Sequence, residues 1–184
     1  MKTRNFYILV SSIIVGMVIA WLFIYTVITL DIDLFQDPNK ITIRGKGVDR
    51  ELTLSITELK SSKYDQIIDK TFHLKKSTGY EYTQTYSGVS LWSILEVENL
   101  ISEDASLLKF QFKGRDGYDS KFLNLSIVKN NPELAIIAYE KSGDPLSLAE
   151  GPLRSVLDQT IIPNGEFSSQ YSVQKLSDII INYY

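Results

Sequence analysis

Apolar and polar positions change rhythm along this chain. From Phe6 to Leu30 the sequence reads FYILVSSIIVGMVIAWLFIYTVITL, apolar and free of charge throughout. That run is longer than the about 20 residues that cross a bilayer as a helix. Its aromatic residues (Phe6, Tyr7, Trp21, Phe23, Tyr25) lie partly toward the ends, where amphipathic rings favour the interface. The rhythm then breaks at DIDLFQDPNK (Asp31 to Lys40), a polar stretch in which Pro38 marks the approach of a new element.

Beyond that point the apolar residues alternate over short distances. Ile41 and Ile43, then Leu52 and Leu54, predict a hairpin turning at Gly45-Lys46-Gly47. Ser55 and Glu58 form a capping-box pattern, so a short helix over ITELKSS follows. IIDKTFHLKKS places Phe72 and Leu74 on one strand face, and the aromatic, Thr-rich YEYTQTYSG predicts another strand. Leu91, Ile94, Leu95 and Val97 recur at helical spacing behind Ser90 as cap. SLLKFQFKG puts Leu108, Phe110 and Phe112 on one face; Arg115 to Tyr118 is a turn, and SKFLNLS is expected to return as a strand. ELAIIAYE reads as a central strand buried on both faces, and GPLRSVL and KLSDIIINYY supply two more. Many short strands with a few short helices and no regular alternation predict an α+β, β-rich domain rather than a doubly wound sheet.

The predicted organisation is therefore a cytoplasmic N-terminus (1–5), a transmembrane signal anchor (6–30), a linker (31–40) and one domain (41–184). Lys2 and Arg4 precede the apolar run while Asp31, Asp33 and Asp37 follow it. Positive charge stays in the cytoplasm, which places the domain extracytoplasmically on a single-pass anchor in the cell membrane. Cleavage after Val18-Ile19-Ala20 is disfavoured, because hydrophobicity continues well past the about 7–15 residues of a signal-peptide core.

Composition narrows the chemistry. Of 184 residues none is cysteine, which excludes disulfides, thiolate metal sites and cysteine nucleophiles. Acidic residues outnumber basic ones (22 Asp and Glu, 19 Lys and Arg), and no basic stripe suggests nucleic acid. There is no Gly-x-Ser-x-Gly elbow, no phosphate loop at Gly45-Lys46-Gly47 and no Asp-rich calcium loop. His73 is the single histidine, without the convergent partners that a metal site needs. Catalytic and metal-ligating residues are accordingly assigned to none.

Three motifs come in an informative order: SGVSLWSIL (Ser87 to Leu95), RDGY (Arg115 to Tyr118) and YEKSGDPLSLAEGPLR (Tyr139 to Arg154). In order and spacing they resemble the oxidoreductase molybdopterin-binding domain, the fold of the sulfite oxidase family, over roughly Ile41 to Ile181. The resemblance implies that fold, molybdopterin as the one cofactor to consider, and a membrane or redox protein as partner. It marks Arg154, Arg115, Asp116, Tyr118 and His73 as candidate cofactor-binding residues, with Arg154 in the region near the pterin phosphate.

The chain also departs from the family. Its catalytic members ligate molybdenum through a cysteine before the Gly-Val-x-Leu motif, whereas the comparable stretch here, Phe72 to Gly79, has no sulfur. The Gly-rich loop and Lys-Trp pair expected before the last strand are replaced around Gln174-Lys175-Leu176. Outside the apolar end only Arg44, Arg50, Arg115 and Arg154 supply guanidinium, so no anion pocket is expected. The small, cysteine-free type of this domain therefore implies a non-catalytic ligand-binding or accessory module. A pterin-binding oxidoreductase with atypical ligation and a protein-interaction domain without a small ligand are the alternatives.

Each candidate also has a plain structural role. Arg154 can pair with Glu140 or Glu150 and pin its turn, and Asp116-Gly117 suits a hairpin. Tyr80, Tyr82 and Tyr86 share one strand face, either as an exposed binding stripe or as a cross-strand aromatic cluster.

Overall fold

A computed structural model describes residues 3–29 and 37–184, with side chains in the first helix described for 12–25. The chain divides into two units, Met1–Phe35 and Gln36–Tyr184. The first holds α1 (Thr3–Thr29). Its described side chains are all exposed, and Trp21 stacks on Tyr25 with ring centroids 5.5 Å apart. Counting only the described positions, no helix is long and apolar enough to cross a membrane. The predicted span (6–30) and linker (31–40) lie in part outside the described residues.

The second unit is the α+β domain that the strand pattern predicts. Among the described residues ten strands form two five-stranded sheets. In the first sheet β1 (Lys40–Arg44) pairs antiparallel with β2 (Leu52–Ser55) and parallel with β10 (Leu176–Tyr183). β10 pairs in turn with β5 (Leu108–Gly114), which carries the two-residue β6 (Leu123–Asn124) at its far edge. The second sheet is antiparallel: β3 (Gln66–Lys75), β4 (Glu81–Ser90) and β7 (Ala135–Lys141) lie side by side. β8 (Asp144–Pro145) pairs along one end of β7, and β9 (Arg154–Leu157) pairs along Ala135 to Ala138.

Burial explains the sequence rhythm. The main core gathers Ile41, Ile43, Phe110, Phe112, Ile179 and Ile181 from the first sheet against Val89, Ile137 and Tyr139 from the second. A smaller cluster (Phe72, Leu74, Tyr86, Ile136, Ala138, Val156) lies on the second sheet. β7 therefore sends Ile137 and Tyr139 into one cluster and Ile136 and Ala138 into the other, as a strand buried on both faces must.

The α-helices of this unit are short and capped. α2 (Ile56–Leu59) starts on the capping box of Ser55 and Glu58. α3 (Leu91–Val97) starts at Ser90, whose side chain accepts from the Ser93 amide. One predicted strand is cut short: SKFLNLS pairs only through Leu123 and Asn124 (β6) before α4 (Leu125–Asn130) begins. The Asn124 side chain accepts from the Ser126 amide, capping the helix that buries Leu125 and Val128.

Candidate functional site

The β3–β4 hairpin tip overhangs an open cleft. Its turn is tight: the Lys76 amide donates to Tyr80 O at 2.9 Å, and Gly79 donates to Lys76 O at 2.8 Å. Gly79 takes φ +85°, a conformation that side chains disfavour. The cleft below has a volume of about 550 Å³. Its walls come from the hairpin tip (Lys75 to Thr78), the Asp116–Tyr118 turn, Arg154 at the start of β9, and the segment around Ser168 to Gln174. A hollow of about 330 Å³ shares Lys76, Tyr82, Arg154 and Gln174 with it, and adds Tyr80, Tyr86, Lys141 and Glu150.

Three of the five candidate residues line this cleft. Arg154 leads β9 after a cis Gly151–Pro152 bond, with its side chain 9% exposed. Its Nη1 donates to Glu150 Oε1 at 2.7 Å, and its guanidinium carbon lies 5.1 Å from the Tyr86 ring centroid. Glu150 is thus the carboxylate partner, while Glu140 pairs with Lys60 instead. Arg154 Nε is buried without a hydrogen-bond partner among the described residues. Burial pushes the neighbouring Tyr86 hydroxyl up to about 12, although the Arg154 charge pulls it down.

Asp116 and Tyr118 belong to the turn after β5. Asp116 Oδ1 accepts from the Tyr118 amide at 3.2 Å, and Gly117 has φ +81°. The Tyr118 hydroxyl donates to Ser169 O at 3.4 Å, so the turn is tied to the opposite wall. These residues are both hairpin turn and cleft wall.

Arg115 and His73 lie apart from the cleft lining. Arg115 Nη2 donates to the carbonyls of Pro38 (2.6 Å) and Lys40 (3.0 Å), so it fastens the start of β1. His73 sits on β3 beside Glu81, Thr83 and Gln159 in a separate hollow, and its amide donates to Asp158 Oδ2 at 2.7 Å.

Lysines change the electrostatic picture. An arginine count predicted no anion pocket, yet the fold brings Lys75, Lys76 and Lys141 beside Arg154. Lys75 pairs with Glu81 at 2.8 Å, and Lys141 with Glu150 at 3.0 Å. Lys76 has no carboxylate partner among the described residues; its Nζ lies 5.7 and 5.6 Å from the ring centroids of Tyr80 and Tyr82. The sequence reading missed Lys75 and Lys76 as site residues. The signal was there in their position beside the Ser-Thr-Gly turn.

The tyrosine stripe divides by burial. Tyr86 is buried and meets Phe72 edge-on at 6.2 Å, a cross-strand cluster. Tyr80 and Tyr82 stack at 5.9 Å on the rim, with Tyr80 62% exposed.

A thiolate-ligated molybdenum centre does not fit this donor set. Lysine ammonium and hydroxyl groups (Lys75 to Thr78) occupy the hairpin where the family's thiolate ligand is expected, the Arg154 guanidinium lines the same cleft, and the chain has no cysteine. Among the described residues no three His, Cys, Asp or Glu side chains gather to hold a metal.

No family model matches the chain, and no curated protein matches it. Among solved structures it is similar to the sulfane dehydrogenase SoxCD from Paracoccus pantotrophus, with a TM-score of 0.58 and 13% sequence identity. The match covers 81% of this chain and 40% of that one, so the chain spans less than half of its neighbour's length. At that identity the likeness is one of fold, the sulfite oxidase-like fold that the three motifs imply.

Proposed function

We propose that this chain is a membrane-anchored, extracytoplasmic binding module on a sulfite oxidase-like scaffold, and that it is not itself a molybdenum enzyme. The observation that carries this reading is the hairpin tip: Lys75 and Lys76 with hydroxyl neighbours face a cleft walled by Arg154, in place of a thiolate. Such a site offers hydrogen bonds and positive charge to an anionic ligand and offers no soft donor to a metal. Anchoring is supported by the charge-free run from Phe6 to Leu30 and by the basic residues before it. The same reading gives the module an accessory role beside a membrane or redox protein.

A second reading is a pterin-binding oxidoreductase with atypical ligation. It is favoured by the buried, unpartnered Nε of Arg154 at the cleft wall, a donor suited to a phosphate oxygen.

The full chain, purified in detergent from a host that makes molybdenum cofactor, separates the two. The module reading expects neither molybdenum by elemental mass spectrometry nor oxidised-pterin fluorescence after denaturation. Stoichiometric pterin with metal overturns it; pterin without metal favours the second reading. Carbonate extraction of cell membranes tests the anchor, which fails if the chain is released to the supernatant.

A further inference from the structure

We propose that the cleft binds an acidic saccharide, a sugar ring bearing a phosphate or carboxylate, with Lys76 and Arg154 at the anionic group and Tyr80 under the ring. The proposal rests on the cleft being a ligand site and adds the class of ligand.

Charge supplies the first argument. Lys76, Lys141 and Arg154 line the smaller hollow against the single carboxylate of Glu150. Glu150 is already shared between Lys141 and Arg154, which leaves Lys76 without a carboxylate partner among the described residues. Arg154 adds a buried Nε without a partner among the described residues. An anion entering here meets two cationic groups of different geometry, one a point charge and one a planar fork.

The aromatic rim supplies the second. Tyr80 and Tyr82 stack nearly parallel, 16° between planes, so the slot between them is closed to a flat heterocycle. What remains is the outer side of Tyr80, more than half exposed, which suits the apolar C–H face of a pyranose. The third is the lining: Ser77, Thr78, Ser169 and Ser172 bring hydroxyls to the cleft, while the Ser168 hydroxyl is taken up by the Lys75 backbone. Each hydroxyl both donates and accepts, as the hydroxyls of a sugar require. A bare phosphate would leave the tyrosines unused, and a neutral sugar would leave Lys76 unused.

The test is an amide-shift titration of the ¹⁵N-labelled full chain in detergent micelles with glucose 6-phosphate and with glucuronate. Glucose and inorganic phosphate serve as comparisons. The expected result is saturable shifts at 76–82 and at Gln174, at concentrations at least about tenfold below those needed for glucose or phosphate, roughly 1.4 kcal/mol of preference. Lys76→Gln and Tyr80→Ala alter exposed rim positions, and each should weaken binding about fivefold or more.

No saturable shift with either acidic sugar overturns the proposal, as does equal binding of phosphate alone or unchanged affinity in both variants. Failure here in a preparation free of pterin and metal removes only the saccharide class. Metal with pterin in that preparation overturns the module reading itself.

Discussion

Glu150 Oε1 accepts from Arg154 Nη1 at 2.7 Å and from Lys141 Nζ at 3.0 Å, so one carboxylate oxygen ties the β9 lead-in to β7. The motif that suggested a cofactor arginine is thus also a structural clamp. The same guanidinium stands over Tyr86, in the small cluster beneath the cleft.

Removing that carboxylate should be expensive. Glu150→Ala strands two cations, one of them on a side chain only 9% exposed, and is expected to cost about 3 kcal/mol. Glu81→Ala removes the partner of Lys75, but Glu81 is 68% exposed, so solvent screens the pair and the expected loss is much smaller. Urea unfolding of the two variants checks the contrast; equal losses would contradict the clamp.

Gly88 should not tolerate a methyl group. A Cβ there would lie 2.4 Å from the carbonyl oxygen of Ile137 on the neighbouring strand, and backbone cannot rotate away as a side chain can. Gly88→Ala is expected to cost at least the upper part of the about 1–3 kcal/mol typical of overpacking, seen as a lowered urea midpoint. This contact accounts for the glycine of the Ser87–Leu95 motif without any ligand.

Acid should weaken the domain partly through Glu98. Hydrogen bonds from Lys63 and Tyr64 hold its carboxyl below the ordinary glutamate value, with Arg50 adding charge. A carboxyl depressed on folding contributes stability above the unfolded value of about 4.3, and that contribution is lost as pH falls through the folded value. Glu98→Gln should therefore flatten the acid limb of a stability–pH curve measured by urea unfolding. Tyr64 behaves in the opposite sense: burial, then Glu98, raise its hydroxyl, so its contribution is lost as pH rises above about 10.

Arg115 should act on the entry of the chain rather than on the cleft. Arg115→Lys replaces a planar fork with a point donor and loses contacts to Pro38 and Lys40. The expected outcome is faster amide exchange across 40–44 and a loss of about 1–2 kcal/mol. The exchange of Lys76 to Tyr82 should stay as it was. A change confined to that hairpin instead would place Arg115 in the cleft machinery.

Much of the local structure is legible in the sequence because it has local causes. Phe72 and Leu74, or Leu108, Phe110 and Phe112, alternate because one strand face is buried. Ser55 and Glu58 announce their helix because the capping bonds span only three residues. α4 escaped for the same kind of reason: Leu123 and Leu125 alternate like a strand, while the Asn124 cap converts the segment to helix.

The cleft was legible only in part. Arg154, Asp116 and Tyr118 were marked by motif, but motif alone could not separate them from Arg115, one residue away and fastened to β1. Lys75 and Lys76 carry no such mark, since a lysine pair beside a turn is ordinarily a solvated surface feature. Their meaning depends on Arg154 lying nearby, close to 80 positions later in the chain.

The sequence by itself determined the charge-free first run, the absence of thiolate chemistry, the β-rich character of the domain and the places of its turns. These depend on residue type and on spacings of a few positions, where side-chain periodicity and backbone preference act directly. The parallel pairing of β1 with β10, the shared burial of β7, and the gathering of lysines, tyrosines and Arg154 around one cleft were decided by tertiary structure. Those relationships join residues far apart in the chain, and only the closing of two sheets over a common core brings their charges and rings within reach of one another.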